Sequence, residues 1–583
     1  MDGLLLAVLA AAVIAAVTTV APRLGVAAPL LLVLLGVGVS LMPFVTVPPV
    51  EPEWILTGVL PPLLYSSAVA IPSMEFRRDF AAIGGLSVAL VVVTTVVLGF
   101  VIAAVVPGIG LATGFALGAI VSPTDAVATS IVKRLGVSPR VVTVLEGESL
   151  LNDASALVLL RSAIAATAAS VSLWHVAGDF VVSVLVAVVI GVVVGWLNLL
   201  IRRHVRDAAA STTISFVAPF AAFLPAEHLG ASGLVAAVAA GLVTGQGGPR
   251  YLEPRHRMAE VSNWRTVELL LEGGVFLLMG LELDTIVKDT RATHGDLGLA
   301  VGLGALAAAI IVVIRALYVW PLLRSLHRRA ERGAAMRDKL VVMQERLDSG
   351  RPLPTRRAQL RAGAGEVAEG TVALPERRVE QFTTRIRRTL ADVDYLAGAP
   401  LGPKEGAVLV WAGMRGVVTL AAAQTLPRGT EQRSLLVLVA FVVAVGTLLV
   451  QGGTLPWLVR RLGMAGRAPG PDPDERRRLI LELAEAGNAV LDDAGLARPD
   501  GTPYADRVVA RVRRETVFPD DDAQAAEVRE AGAQYRELRL RVIDAMRAAL
   551  LRARSDGTYS SAALEGALGV LDADQIGLEV RGG

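Results

Sequence analysis

Residues 122–161 read SPTDAVATSIVKRLGVSPRVVTVLEGESLLNDASALVLLR. Two long apolar segments meet here, and both carry acid at mid-length: Asp125 in the first, Glu146, Glu148 and Asp153 in the second. An ionisable side chain at membrane depth is costly unless it is paired, hydrated or put to use. This clustering is therefore read as the ion site of a membrane transporter.

The composition agrees. Of 583 residues, 53% are hydrophobic and only 5% aromatic, and the mean hydropathy of +0.56 is too high for an ordinary soluble chain. The 56 basic and 54 acidic residues nearly cancel, so the balance carries no nucleic-acid signal. Cysteine is absent, which excludes disulfides and thiol chemistry. The six histidines show no HxxxH or HExxH spacing, which argues against a zinc site. No nucleophile–base pair is visible, so the chain reads as a transporter and not an enzyme, with no cofactor implied.

Apolar runs of near ~20 residues, long enough to span a bilayer, lie at about 3–21, 27–44, 54–72, 82–106, 110–134, 140–169, 176–202, 209–226, 229–246, 262–283, 297–324, 404–427 and 433–460. The first has only Asp2 before Gly3 and lacks the positive region of a signal peptide. It reads as a membrane helix with its N-terminus outside. The loops then expected inside hold Arg23, Arg77 and Arg78, Lys133, Arg134 and Arg140, Arg202, Arg203 and Arg206, and Arg250, Arg255 and Arg257. Those expected outside hold Glu51, Glu53, Glu227 and the sparse mixture from Asp284 to Asp296. Arg428 and Arg433 are the exceptions to a regular positive-inside alternation, which puts the C-terminus in the cytoplasm. The expected organisation is spans 1–11 over residues 1–326, a cytoplasmic insertion at 327–403, spans 12–13 over 404–462, and a small cytoplasmic helical domain at 463–583. The insertion carries short helical patterns such as RDKLVVMQERL. The last domain carries ERRRLILELAEAGNAVL and YRELRLRVIDAMRAALLRARSDG, with apolar residues at helical spacing.

Pro123 falls in the middle of the fifth run, where it removes a backbone donor and breaks the helix. Freed backbone at membrane depth is tolerated only inside protein or beside a water-filled cavity. With Thr124 and Asp125 following, the break is suited to a small cation. In the sixth run Glu148, Ser149, Asn152 and Asp153 fall within an arc of roughly 140° on one helix face, with Glu148–Asn152 and Ser149–Asp153 at i, i+4. Asp153 lies about 20 Å along a helix from Arg140, near mid-membrane. The twelfth run, GAVLVWAGMRGVVTLAAAQTLP, has Arg415 at its centre between Gly413 and Gly416. A central Arg needs an anionic partner, and Glu148 is the candidate. Two interrupted spans in separate halves of a chain point to a transporter site built from inverted repeats. Glu268 and Glu272 in the tenth run and Arg315 in the eleventh are further intramembrane charges, and Arg315 and Glu272 read as members of structural pairs.

SPTDAVA, LEGESLLNDASALV, ASGLVAAVAAGL, FLLMGLEL and WAGMRGVVTLA resemble, in order and spacing, the signatures of the monovalent cation:proton antiporter family 1. That family comprises the NhaP-type bacterial sodium/proton antiporters and their sodium/proton exchanger relatives. The likeness covers roughly residues 1–460. It implies an all-α fold of thirteen spans in two inverted repeats with crossed, unwound helices, and a homodimer of equally oriented protomers in the cell membrane, serving pH homeostasis. It implies that Asp153 binds the cation or the proton and that Thr124, Ser149 and Glu148 complete the site. Asn152, Asp125 and Pro123 would hold the crossed helices, and Arg415 would pair with Glu148. Members with Asn-Asp resemble electroneutral exchangers. The partners implied are Na⁺, with Li⁺ or K⁺ as alternatives, H⁺ and membrane lipid, and no nucleic acid. K⁺/H⁺ exchange, a cation channel and a membrane sensor stay open as alternatives. Glu272 and the long 327–403 insertion depart from the bacterial pattern.

Overall fold

The computed structural model describes residues 2–42, 51–168, 173–293, 296–348, 353–354, 371–372 and 376–466, together with short stretches between 481 and 578. The chain divides into two compact units, Met1–Ala468 and Pro469–Gly583.

Among its described residues the first unit is helical apart from a two-residue ladder, Leu353–Pro354 against Thr371–Val372. It opens with α1 (Asp2–Leu24), α2 (Ala28–Ser40) and α3 (Leu60–Ala70), the last preceded by a wide turn at Trp54–Val59. Helix α4 (Ser73–Gly84) runs through a second wide turn, Gly85–Ala89, into α5 (Leu90–Val105). Next come α6 (Leu111–Val121), α7 (Val127–Arg134), α8 (Pro139–Ala168), α9 (Leu173–Arg202), α10 (Ala208–His228), α11 (Gly233–Tyr251), α12 (Pro254–Leu281), α13 (Leu283–Ala292) and α14 (Leu297–Asp348). The unit closes with α15 (Glu376–Gly398), α16 (Pro403–Trp411), α17 (Val417–Gln424) and α18 (Arg433–Arg461).

Among the described residues, seven helices are long and apolar enough to cross a membrane. Two of the expected runs are not single helices. The 110–134 run is the pair α6 and α7, and the 404–427 run is the pair α16 and α17. Proline at 123 and glycines at 413 and 416 interrupt them at mid-length, as their chemistry demands.

Helix α18 lies at the centre, with 72% of its most apolar stretch buried, against 17% for α1 and α9 at the periphery. Those peripheral helices turn Leu5, Leu9, Val182, Val189 and Val193 outward. A chain that leaves this much aliphatic surface uncovered is built for an apolar solvent. Helices α2 and α12 cross where Gly36 meets Gly280: a Cβ on either glycine would stand 2.9 Å from the other's Cα. Only glycine permits that approach, a frequent device of helix packing in lipid.

The sequence places a boundary at 326/327, and α14 runs through it unbroken for 52 residues. Helix α15 packs back along the outer part of α14, with Val393 against Gly333 and Asp394 bound to Arg337 at 2.6 Å. The RDKLVVMQERL pattern thus lies within α14.

In the second unit the described parts include α19 (Asp506–Thr516), an Arg513–Asp492 ion pair at 2.6 Å and an Arg539–Asp574 pair at 2.7 Å. Most of the ERRRLILELAEAGNAVL and YRELRLRVIDAMRAALLRARSDG patterns lies outside the described residues.

Candidate functional site

The site grows from the crossing of the two interrupted helices. The α6–α7 break at 122–126 meets the α16–α17 break at 412–416, and the Asp125 N–H donates to the Met414 carbonyl at 2.8 Å. Four helix ends converge. The N-termini of α7 and α17 carry partial positive charge, and the C-termini of α6 and α16 carry partial negative charge. The side chains match this arrangement. Asp125 accepts from the Val127 N–H at 2.9 Å and from the Val417 N–H, one at each N-terminus. Arg415 donates through Nε to Val121 O at 2.9 Å, through Nη2 to Ser122 O at 3.2 Å and through Nη1 to Gly413 O, so it serves both C-termini. Its own N–H donates to Thr447 Oγ1 at 2.9 Å. Gly416 has no room for a Cβ, because the Asp125 carboxyl occupies that space.

Glu148, on α8, finds a partner other than the one expected. Arg315, from α14, binds the Glu148 carboxylate with both terminal nitrogens, Nη2 to Oε2 at 2.7 Å and Nη1 to Oε1. Its Nε donates to the Leu409 carbonyl at 2.7 Å. The expected Arg415–Glu148 pair is therefore corrected to Arg315–Glu148. The physical reason is that Arg415 is spent on the carbonyls of two helix ends. The sequence offered two central arginines for one buried acid, and only the packing of α14 beside α16 decides between them. That packing also explains Gly413, since a Cβ there would stand 2.7 Å from the Arg315 Cδ.

Glu148 is 1% exposed and Asn152 is 1% exposed. The Thr124 hydroxyl donates to Glu148 Oε1 at 3.1 Å and accepts from Asn152 Nδ2 at 2.6 Å. Asn152 Oδ1 is buried without a hydrogen-bond partner. A chain Arg315–Glu148–Thr124–Asn152 thus ties α14, α8 and the α6–α7 break together.

Asp153 stands apart from this chain. It is 8% exposed. Among the described residues no group donates to its carboxylate. It faces a cavity of about 370 Å³ whose lining includes Pro123, Thr124, Asp125, Ser149 and Gly416. Arg415, Asn152 and Glu148 do not line that cavity. The Ser149 hydroxyl donates back to Glu146 O at 3.2 Å.

Three acids outside the ligand set expected for the site line the same cavity: Glu146, Glu268 and Glu272. Lys133, also in the lining, lies 3.4 Å from Glu146. Glu146 is two residues from Glu148 and so faces another side of α8, while α12 supplies the other two acids. The helical spacing of 268 and 272 was a visible signal; their approach to α8 was not. At the far end of α17 a second recess of about 740 Å³ is lined by Glu282, Gln424 and Arg433 among others. Gln424 Nε2 donates to Glu282 Oε2 there at 2.6 Å.

The comparisons fit this geometry. The family model described as "Sodium/hydrogen exchanger, transmembrane" matches residues 8–351. An uncharacterized Na⁺/H⁺ exchanger of Mycobacterium tuberculosis is 27% identical over 99% of this chain and 96% of its own length. A sodium, potassium, lithium and rubidium/H⁺ antiporter of Bacillus subtilis is 34% identical over 39% of this chain and 35% of its own. The structure of the sodium proton antiporter of Methanocaldococcus jannaschii aligns with a TM-score of 0.53 at 17% identity, over 79% of this chain and 99% of that one. A family match over more than half the chain, a shared fold and helices fit for a bilayer lead to one conclusion: the chain belongs to the sodium/hydrogen exchanger family of multi-pass membrane cation/proton antiporters.

Proposed function

We propose that this chain exchanges a monovalent cation, Na⁺ first, for H⁺ across the cell membrane, one for one, by competition at Asp153. The observation that supports it most is the isolation of that carboxylate. It is buried, it faces a cavity, and no described group donates to it. By contrast, Glu148 has Arg315, and Asp125 has two helix N-termini. An unpaired buried carboxylate needs a counter-charge, and a proton or a dehydrated cation can each supply it. Ser149 and the unwound backbone near Thr124 offer oxygens of the kind hard cations take. Glu148 and the Thr124 hydroxyl, expected as ligands, are read here as supports, because both are already engaged.

One carboxylate that accepts either ion, never both, couples the two fluxes without a further energy source. The remaining buried charges do not change hands, so a single exchange moves no net charge. Asp153 is reached from the cavity lined by Glu146, Glu268 and Glu272; in this reading the opposite access opens toward the recess at Glu282 and Gln424. Alternating access consists of moving the crossing and α8 between them. Thirteen spans in two inverted repeats, a homodimer, an outer N-terminus, a cytoplasmic C-terminus and a role in pH homeostasis belong to the same reading.

K⁺/H⁺ exchange is the second reading, favoured by the name of the Bacillus subtilis relative, which includes potassium. Purified protein in proteoliposomes, with a pH gradient and Na⁺, Li⁺ or K⁺ added in turn, separates them. Cation-dependent proton flux that is absent in Asp153→Asn is the expected result. Full flux in that variant sinks the mechanism, and current without proton counterflow indicates a channel.

A further inference from the structure

Helix α15 of the insertion reaches a buried charge pair at the start of α8. Arg140 sits in the first turn of α8, where the helix end is already positive, and it is 3% exposed. A buried cation in that position needs an anion. Asp79 of α4, 1% exposed, supplies it: Arg140 Nε donates to Oδ1 at 3.0 Å and Oδ2 at 3.1 Å, and Nη2 donates to Oδ1 at 2.8 Å. Two bonds then come from the insertion. The Tyr395 hydroxyl donates to Asp79 Oδ2 at 3.2 Å. Arg140 Nη1 donates to the Ala399 carbonyl at 2.7 Å, just past the negative end of α15. Around them, Arg78 of α4 donates to Asp392 at 2.6 Å, and the Tyr395 ring lies 4.9 Å from the Arg78 guanidinium and 5.7 Å from that of Arg140. Burial and the Asp79 charge push the Tyr395 hydroxyl above its ordinary range, which keeps it a donor. The same α8 continues to Glu146 and to Asp153, about 20 Å further on.

We propose that α15 is a working part of the transport unit: by completing the Asp79–Arg140 pair it fixes the end of α8 and so sets where Asp153 stands against the helix crossing. Tyr395, Asp79 and Arg140 are positioning residues. None of them lines the cavity. The inference rests on the reading of Asp153 as the transport carboxylate, and it gives the 327–403 insertion a role in cation affinity. Without α15, Asp79 and Arg140 each lose a bond, and α8 gains orientations that do not present the site. An apparent affinity falls in proportion to the fraction of competent protein. Saturating cation pulls that fraction back, so the maximal rate is preserved.

The test is cation-dependent proton flux in proteoliposomes holding equal amounts of full-length protein, with Tyr395→Phe and the double variant Tyr395→Ala/Asp392→Ala. Tyr395→Phe keeps the ring and loses one hydrogen bond; its apparent KM for Na⁺ is expected to rise about twofold to tenfold, the worth of one such bond. The double variant is expected to exceed that shift, with the maximal rate per protein held in both. Unchanged KM in Tyr395→Phe overturns the proposal, whether or not the double variant folds. So does a lower yield of protein with unaltered kinetics, which marks a merely structural contact. Asp153→Asn, measured alongside, tests the underlying site separately: flux in that variant refutes the Asp153 reading while the KM of Tyr395→Phe still reports on α15.

Discussion

The exchange of partners at Glu148 gives the sharpest prediction. Glu148 and Arg315 are 1% and 2% exposed, and their contact is bidentate. Removing one member of such a buried pair costs about 3–5 kcal/mol, because the other charge is left without its counter-ion; replacing both with neutral groups of similar size costs far less. Arg315→Met alone strands Glu148 with the Thr124 hydroxyl as its remaining side-chain donor. Glu148→Gln alone strands Arg315, whose Nε keeps the Leu409 carbonyl. The double variant removes both charges, so the cycle yields a favourable coupling of about 2 kcal/mol or more. The matching cycle with Arg415→Met yields under about 1 kcal/mol, because the Arg415 guanidinium bonds carbonyls and meets Glu148 only as a charge through space, with no hydrogen bond between them. Thermal unfolding of the purified protein in one detergent, read as midpoints at a fixed scan rate, gives both cycles. A larger coupling to Arg415 than to Arg315 refutes the arrangement.

Gly416→Ala forces a Cβ into the space held by the Asp125 carboxyl, which can leave only by giving up its bonds to the Val127 and Val417 N–H groups. It is expected to cost several kcal/mol and to abolish flux, checked by the amount of protein folded in the membrane and by transport. Asn152→Asp places a second carboxylate one residue before Asp153; flux in that variant is expected to become sensitive to an imposed membrane potential, and flux in the parent is expected to be insensitive to it. Competition at one carboxylate also fixes the sign of the pH dependence: protons occupy the site as pH falls, so the apparent KM for Na⁺ rises, approaching about tenfold per pH unit at the acid end. Initial rates across a pH series check this, and a KM independent of pH contradicts it.

Much of this was legible in the sequence, for stated reasons. Pro123 and the glycines at 413 and 416 announce two breaks, and both fall at the ends of short helices. The i, i+4 spacing of Glu148, Ser149, Asn152 and Asp153 puts them on one helix face. What the spacing left open was which members of that group meet the cavity. Glu148 and Asn152 turn to α14 and the break, Ser149 and Asp153 to the cavity. The choice of Arg315 over Arg415 was hidden because pairing across 167 residues depends on helix packing, not on local pattern. The same holds for Glu268 and Glu272, whose helix carries them to the cavity from another part of the chain. The insertion read as a hydrophilic segment, and nothing in its composition revealed that Tyr395 would close over Asp79 and Arg140.

The central claim, that cation and proton compete for one carboxylate, is tested most directly by proton release on cation binding. Purified protein in weakly buffered detergent solution is titrated with NaCl, with choline chloride as control, while pH and heat are followed. The account predicts about one proton released per Na⁺ bound when the site begins protonated, and neither release nor binding in Asp153→Asn. Sodium binding without proton release, or release that survives in Asp153→Asn, contradicts it.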